Sequence, residues 1–196
     1  MDNLDLNKIL DRETIAEKIK ATLIDFENNK KDLTRKRGIY IYGTPGCGKT
    51  TFVKDLIKSM DYDIVLYDAG DIRNKLVIDN ITQNNMSDRN VISLFNKKKK
   101  QIAIVMDEID GMNNGDKGGI NSLIKQIRPK KTKKQKEEDT TNTPIICISN
   151  YHVDKKIKEL MKVCNVFELK TPTDEQINYI IHLCMPNIDD TLNINI

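Results

Sequence analysis

One stretch of eight residues, Gly43-Thr44-Pro45-Gly46-Cys47-Gly48-Lys49-Thr50, limits what this chain can fold into more than any other. It follows a short apolar run, Ile39 to Tyr42, and precedes a helical pattern, so it joins a strand to a helix. Glycines at these positions let successive backbone N–H groups turn inward, and the helix that follows adds its positive N-terminal end. Such a loop cradles phosphates. Lys49 is placed to reach the β- and γ-phosphates of a nucleotide, and the Thr50 hydroxyl to hold Mg²⁺. Gly43, Thr44, Pro45, Gly46, Cys47, Gly48, Lys49, Thr50 and the adjoining Thr51 form the candidate nucleotide-binding set.

The rest of the chain supplies the fold that such a loop requires. Short apolar runs at 39–42, 64–67, 102–106, 145–148 and 166–169 predict five strands, with helical segments at 71–80, 88–96 and 118–127 between them. Strands and helices in alternation predict a parallel sheet covered on both faces. Before it, Ile15, Ile19, Leu23 and Phe26 recur at helical spacing and predict an amphipathic helix. The expected organisation is an N-terminal helix and basic linker over 1–37, a core over 38–171, and a helix from about 173 to 184 with a tail to 196. Within the core, 129–143 is Lys/Glu/Thr-rich and almost free of apolar residues, which predicts a mobile surface loop.

Two further strand ends carry polar groups. The run Ile102 to Met106 delivers Asp107 and Glu108. Asp107 is suited to the Mg²⁺ shell, and Glu108 to taking a proton from an attacking water. The run Ile145 to Ser149 delivers Asn150, whose amide could touch the γ-phosphate or that water, because ligands of open α/β sheets collect at the carboxyl ends of the strands.

Composition narrows the classes. The 196 residues are 38% apolar and 31% charged, with no Trp, enough for one domain with a buried core. The N-terminus lacks a basic and an apolar leader region, and no uncharged apolar run approaches about 20 residues, which argues against secretion and membrane spanning. Cys47, Cys147, Cys164 and Cys184 show no CxxC pair and no ligand spacing with the two histidines, so they read as reduced thiols of an intracellular protein. The net charge is only +3, but it is unevenly spread: basic runs occupy 30–37, 97–100 and 130–136. Each run by itself reads first as a solvated turn.

The order of these elements resembles the AAA+ ATPases. The stretches Asp68-Ala69-Gly70-Asp71-Ile72-Arg73-Asn74-Lys75, Met106-Asp107-Glu108-Ile109-Asp110-Gly111-Met112, Asp116-Lys117-Gly118-Gly119-Ile120 and Pro144-Ile145-Ile146-Cys147-Ile148-Ser149-Asn150 resemble the clamp-loader clade, specifically the large subunits of replication factor C. The resemblance spans residues 38 to 184. It implies a three-layer P-loop NTPase fold with a five-stranded parallel sheet in which the Asn150 strand lies between the other two motif strands, truncated in its lid domain. It implies ATP and Mg²⁺ as cofactors, with Glu108, Lys49 and Asn150 catalytic and Thr50 and Asp107 at the metal. Primed or duplex DNA, small clamp-loader subunits and a sliding clamp are the implied partners, with no membrane. DNA contacts would fall at the helix starts marked by Arg73 and Lys75 and by Gly118 and Gly119, and a clamp contact at Asn90 to Phe95.

Departures from the family pattern shape the remaining expectations. The aromatic/Lys/Pro segment that helps form the adenine pocket does not occur before Gly38. Where small subunits carry a Ser-Arg-Cys finger, this chain has Lys162-Val163-Cys164, as large subunits also lack the arginine. The missing remainder of the lid suggests a fragment or a reduced homologue in a nuclear or viral replication compartment. A non-hydrolysing AAA+ assembly or DNA-binding subunit that uses ATP structurally is the alternative function.

Overall fold

The computed structural model describes residues 6–68, 100–113, 118–138, 140–150 and 155–185. Two N-terminal helices, α1 (Leu6–Ile9) and α2 (Glu13–Asn28), precede strand β1 (Gly38–Tyr42) and helix α3 (Lys49–Ser59). Strands β2 (Tyr62–Tyr67) and β3 (Gln101–Met106) follow, then a 3₁₀ turn (Ile109–Asn113) and α4 (Gly119–Ile127). A one-turn helix α5 (Lys133–Lys136) leads to β4 (Ile145–Ser149), α6 (Lys155–Val163), β5 (Cys164–Glu168) and α7 (Asp174–Cys184). The five strands are all parallel, in the order β2-β3-β4-β1-β5. Strand β4 therefore lies between β1 and β3, as the resemblance implies. The helices expected at 71–80 and 88–96 lie outside the described residues.

Strand periodicity divides the core into two layers, because successive side chains point to opposite faces. Tyr40, Ile104, Met106, Ile145 and Cys147 pack on one face against Ile120, Leu123 and Ile127 of α4 and Ile157 and Leu160 of α6. Ile39, Ile41, Ala103, Val105, Ile146 and Ile148 pack on the other against Phe52, Val53, Leu56 and Ile57 of α3 and Ala16, Ile19 and Leu23 of α2. Each fully buried aliphatic side chain contributes roughly 1.5–3 kcal/mol, so these two layers hold the sheet flat-sided and covered. Helix α2 belongs to the second layer and shares the core of the sheet domain. Ile15 packs against this layer at the edge of the apolar face and is only partly buried, with Ala16 buried beside it.

Two local results differ from the sequence expectation. Strand β5 begins two residues early, because Cys164 is fully buried beside Gly38, where an added Cβ would lie 2.7 Å from its Sγ. The segment 129–143 contains structure of its own. Thr132 caps α5 through a reciprocal box with Gln135, and Thr141 and Thr143 are buried with Thr141 Oγ1 donating to the Thr143 carbonyl at 2.7 Å. Polar bonds hold it, so its lack of apolar residues does not leave it unanchored.

Cys47, Cys147, Cys164 and Cys184 are all free thiols, and burial pushes the Cys147 thiol up and Cys164 to about 12, so both stay protonated. No described helix is long and apolar enough to cross a membrane.

Candidate functional site

Parallel strands all point the same way, so the residues that follow β1, β3 and β4 meet at one edge of the sheet. The loop after β1 turns back sharply. Gly43 sits against the chain leaving β5, where a Cβ would collide with the Leu169 carbonyl, and Gly48 takes a left-handed backbone (φ 83°) to start α3. The result is an open cleft of about 320 Å³ between this loop, Asp107, Glu108 and Asn150.

Lys49 is 8% exposed, and its Nζ donates to the carbonyls of Gly43 (3.1 Å) and Thr44 (2.7 Å) and to Asn150 Oδ1 (3.0 Å). All three acceptors are neutral. Among the described residues no carboxylate forms a salt bridge with this ammonium, which faces the open cleft. The Thr50 hydroxyl donates to Asp107 Oδ2 at 2.6 Å, which sets a hydroxyl and a carboxylate side by side. Mg²⁺ takes one or two carboxylates plus substrate oxygens and water, so this donor pair fits it. The other Asp107 oxygen accepts from the Glu108 backbone N–H at 3.0 Å. Glu108 is exposed to the cleft, with a left-handed backbone (φ 51°) that is uncommon for a residue with a side chain and typical of functional positions.

The structure brings Lys49, Thr50, Asp107, Glu108 and Asn150 together, with Pro45, Gly46, Gly48 and Thr51 along the same wall. Thr44 is turned toward the segment after β5, its hydroxyl 2.7 Å from that of Thr171. Cys47 is buried beneath the loop, its Sγ 3.8 Å from the Leu169 carbonyl, so it supports the cradle from below. Gly118 caps α4 in a left-handed conformation (φ 92°). Arg73, Lys75 and the segment Asn90 to Phe95 lie outside the described residues.

Two contributors went unrecognised in the sequence. Asp110 accepts a bond from Asn150 Nδ2 at 3.2 Å, which fixes which end of the amide faces Lys49. Its place two residues past Glu108, in the same acidic stretch, was the available signal. Arg12, at the start of α2, is 7% exposed and donates to the Cys47 carbonyl at 2.6 Å while lying 5.9 Å from the Phe52 ring centre. Burial lowers its guanidinium pKa from the ordinary range. No motif marks it, because it reaches the loop across 35 residues of sequence.

This geometry agrees with the relatives of the chain. Residues 39–171 match the ATPase family associated with various cellular activities (AAA). The chain is 30% identical over 176 residues to replication factor C subunit 1 of Saccharomyces cerevisiae, covering 82% of this chain and 19% of that protein. It is 27% identical over 181 residues to the replication factor C large subunit of Nanoarchaeum equitans, covering 92% and 38%. It thus spans well under half the length of these relatives. In fold it is similar to a chain of the Escherichia coli MS115-1 HORMA:CdnC:Trip13 complex (TM-score 0.54, 17% identity, 95% of this chain and 67% of that one). Caenorhabditis elegans PCH-2 is similar too (TM-score 0.52, 16% identity, 99% and 56%). With a phosphate cradle, a hydroxyl–carboxylate pair and an amide converging at one sheet edge, this chain belongs to the AAA family of P-loop ATPases and is similar to the large subunits of replication factor C.

Proposed function

We propose that this chain is a clamp-loader-like ATPase module that binds ATP with Mg²⁺ and hydrolyses it in work on primed or duplex DNA. The observation that carries the reading is the cluster of Lys49, Thr50, Asp107 and Asn150, joined by bonds of 2.6–3.0 Å at the strand edge that ends in Glu108. Its similarity to replication factor C large subunits supports the DNA-directed role.

In this reading Lys49 exchanges its carbonyl and amide acceptors for phosphate oxygens, a gain because those acceptors are neutral and phosphate is not. Thr50 and Asp107 would hold Mg²⁺, which supplies charge neutralisation between the phosphates when bound. Glu108 takes a proton from the attacking water. Asn150, its amide oriented by Asp110, positions the water or the terminal phosphate. Arg73, Lys75, Gly118 and Gly119 would contact DNA phosphates. Small clamp-loader subunits and a sliding clamp, the latter at Asn90 to Phe95, are the proposed partners.

Glu108→Gln tests the reading. It should keep nucleotide affinity and lose at least about 10²-fold in steady-state hydrolysis with primed DNA, the usual range for a general base. Equal rates for wild type and variant would instead favour an AAA+ subunit that uses ATP to hold its structure.

A further inference from the structure

The end of the sheet away from the cleft presents a second feature. Two of the three basic runs, far apart in sequence, are folded into one platform there. The Lys130 N–H donates to the Leu33 carbonyl (2.7 Å) and the Arg37 N–H to the Ile127 carbonyl (3.3 Å). The Arg37 guanidinium, 3% exposed, donates to the carbonyls of Thr141 (2.7 Å) and Lys30. These contacts precede β1 and β4, whereas the cleft follows them. Five-residue strands put about 17 Å between the two sites.

Segments 30–37 and 128–139 together hold eleven Lys or Arg and four Asp or Glu, so this end alone is more positive than the whole chain, whose net charge is +3. Two of these carboxylates are already committed. Glu138 accepts from Arg128 through both oxygens and from Lys130 Nζ at 3.2 Å, while Asp32 accepts from Thr34 and Arg35. Lys31, Lys131, Lys133, Lys134 and Lys136 are exposed, and none forms a salt bridge among the described residues. None of the large exposed apolar side chains falls in either segment. A protein partner would need such anchors, and a membrane would need apolar groups to bury. A phosphodiester backbone needs only fixed cations.

We infer that the platform formed by segments 30–37 and 128–138 binds the phosphate backbone of duplex DNA, as a contact separate from the nucleotide cleft and from the start of α4 at Gly118. Glu138, Arg128, Lys130 and the Thr141–Thr143 turn hold the segment in place, so less ordering entropy opposes the contact. Because the platform lies at the opposite sheet edge, it engages DNA whether or not nucleotide is bound.

The test is fluorescence anisotropy with the full 196-residue chain and a labelled mixed-sequence duplex of about 25 base pairs, titrated with salt between roughly 50 and 200 mM. Replacing Lys131, Lys133, Lys134 and Lys136 together by Gln should weaken binding at least ~10-fold and flatten the plot of log K against log salt by about 3. Lys→Arg at the same positions should restore both, and affinity for a fluorescent ATP analogue should not change in either variant. The pair Lys131→Gln with Lys134→Gln, expected to flatten the slope by about half as much, serves if the fourfold variant loses its thermal transition. Wild-type affinity and slope in a folded Gln variant would overturn the inference. So would a loss confined to phosphatidylserine vesicles, which would assign the platform to membranes. Failure of ATP hydrolysis, which would sink the proposed function, leaves this DNA measurement intact.

Discussion

Two buried lysines sit at opposite ends of the same sheet, and their partners differ. Among the described residues Lys49, 8% exposed, is held by two carbonyls and an amide oxygen, whereas Lys130, 0% exposed, has the Glu138 carboxylate at 3.2 Å in addition to the Lys125 carbonyl. A buried cation among neutral dipoles keeps its field for an incoming anion. One beside a carboxylate spends that field inside the fold. Burial alone therefore does not tell the two lysines apart; the charge of their acceptors does.

The comparison breaks first at Lys49. Lys49→Ala should weaken ATP-analogue binding by about 10²-fold or more, since removing one member of a desolvated charge pair typically costs 2–5 kcal/mol. Its thermal midpoint without nucleotide should fall only slightly, because water entering the open cleft can take the place of the ammonium at the vacated acceptors. A large drop in the midpoint with unchanged affinity would make Lys49 the structural lysine of the two.

Arg12 sharpens the contrast from the protein side. Arg12→Ala removes the guanidinium that donates to the Cys47 carbonyl and so loosens the cradle without touching the cleft. Isothermal titration should read about a tenfold loss of nucleotide affinity, in line with roughly 1.5–3 kcal/mol for a hydrogen bond from a charged donor.

Glu138 is the converse case, with the smallest effect. Glu138→Gln leaves Arg128 and Lys130 without their carboxylate and should lower stability by ~1–2 kcal/mol, between the values for exposed and fully buried pairs, with nucleotide affinity unchanged. In a domain of this size that is about 2–8 °C in thermal midpoint. The hydrogen bond from Arg128, and then that from Lys130, hold the Glu138 carboxyl below its usual 4.5. A carboxyl whose pKa is lower folded than unfolded adds stability above its unfolded pKa and loses it as pH falls through the folded value. The gap between wild type and Glu138→Gln should therefore be full at pH 7 and shrink as the pH falls below about 4.5. A gap that persists unchanged at low pH would show that shape, not charge, holds the segment.

How far the sequence could be read depends on the range over which each residue acts. Strands β1, β3 and β4 were legible because a short continuous apolar run is a local signal. The cleft was legible because Gly43 to Thr50, Asp107, Glu108 and Asn150 each follow a strand directly, and parallel strands bring such positions together. The lack of apolar residues in 129–143 predicts a mobile surface loop, yet Lys130 is fully buried there. Its satisfaction by Glu138 and by the Lys125 carbonyl depends on a fold back across the chain that hydropathy cannot register. Ile15 and Ala16 differ for a related reason, since helical periodicity gives a face while the packing partner decides where its edge falls.

The sequence by itself determined the parallel α/β architecture and which strand-end residues line the cleft, because both follow from patterns a few residues long. Only the tertiary structure decided that Arg12 braces the loop from 35 positions away, that Asp110 orients the Asn150 amide, and that two basic runs over ninety residues apart form one surface. Those outcomes depend on hydrogen bonds between segments, and such bonds form only where the packed core has already brought their donors and acceptors within about 3 Å.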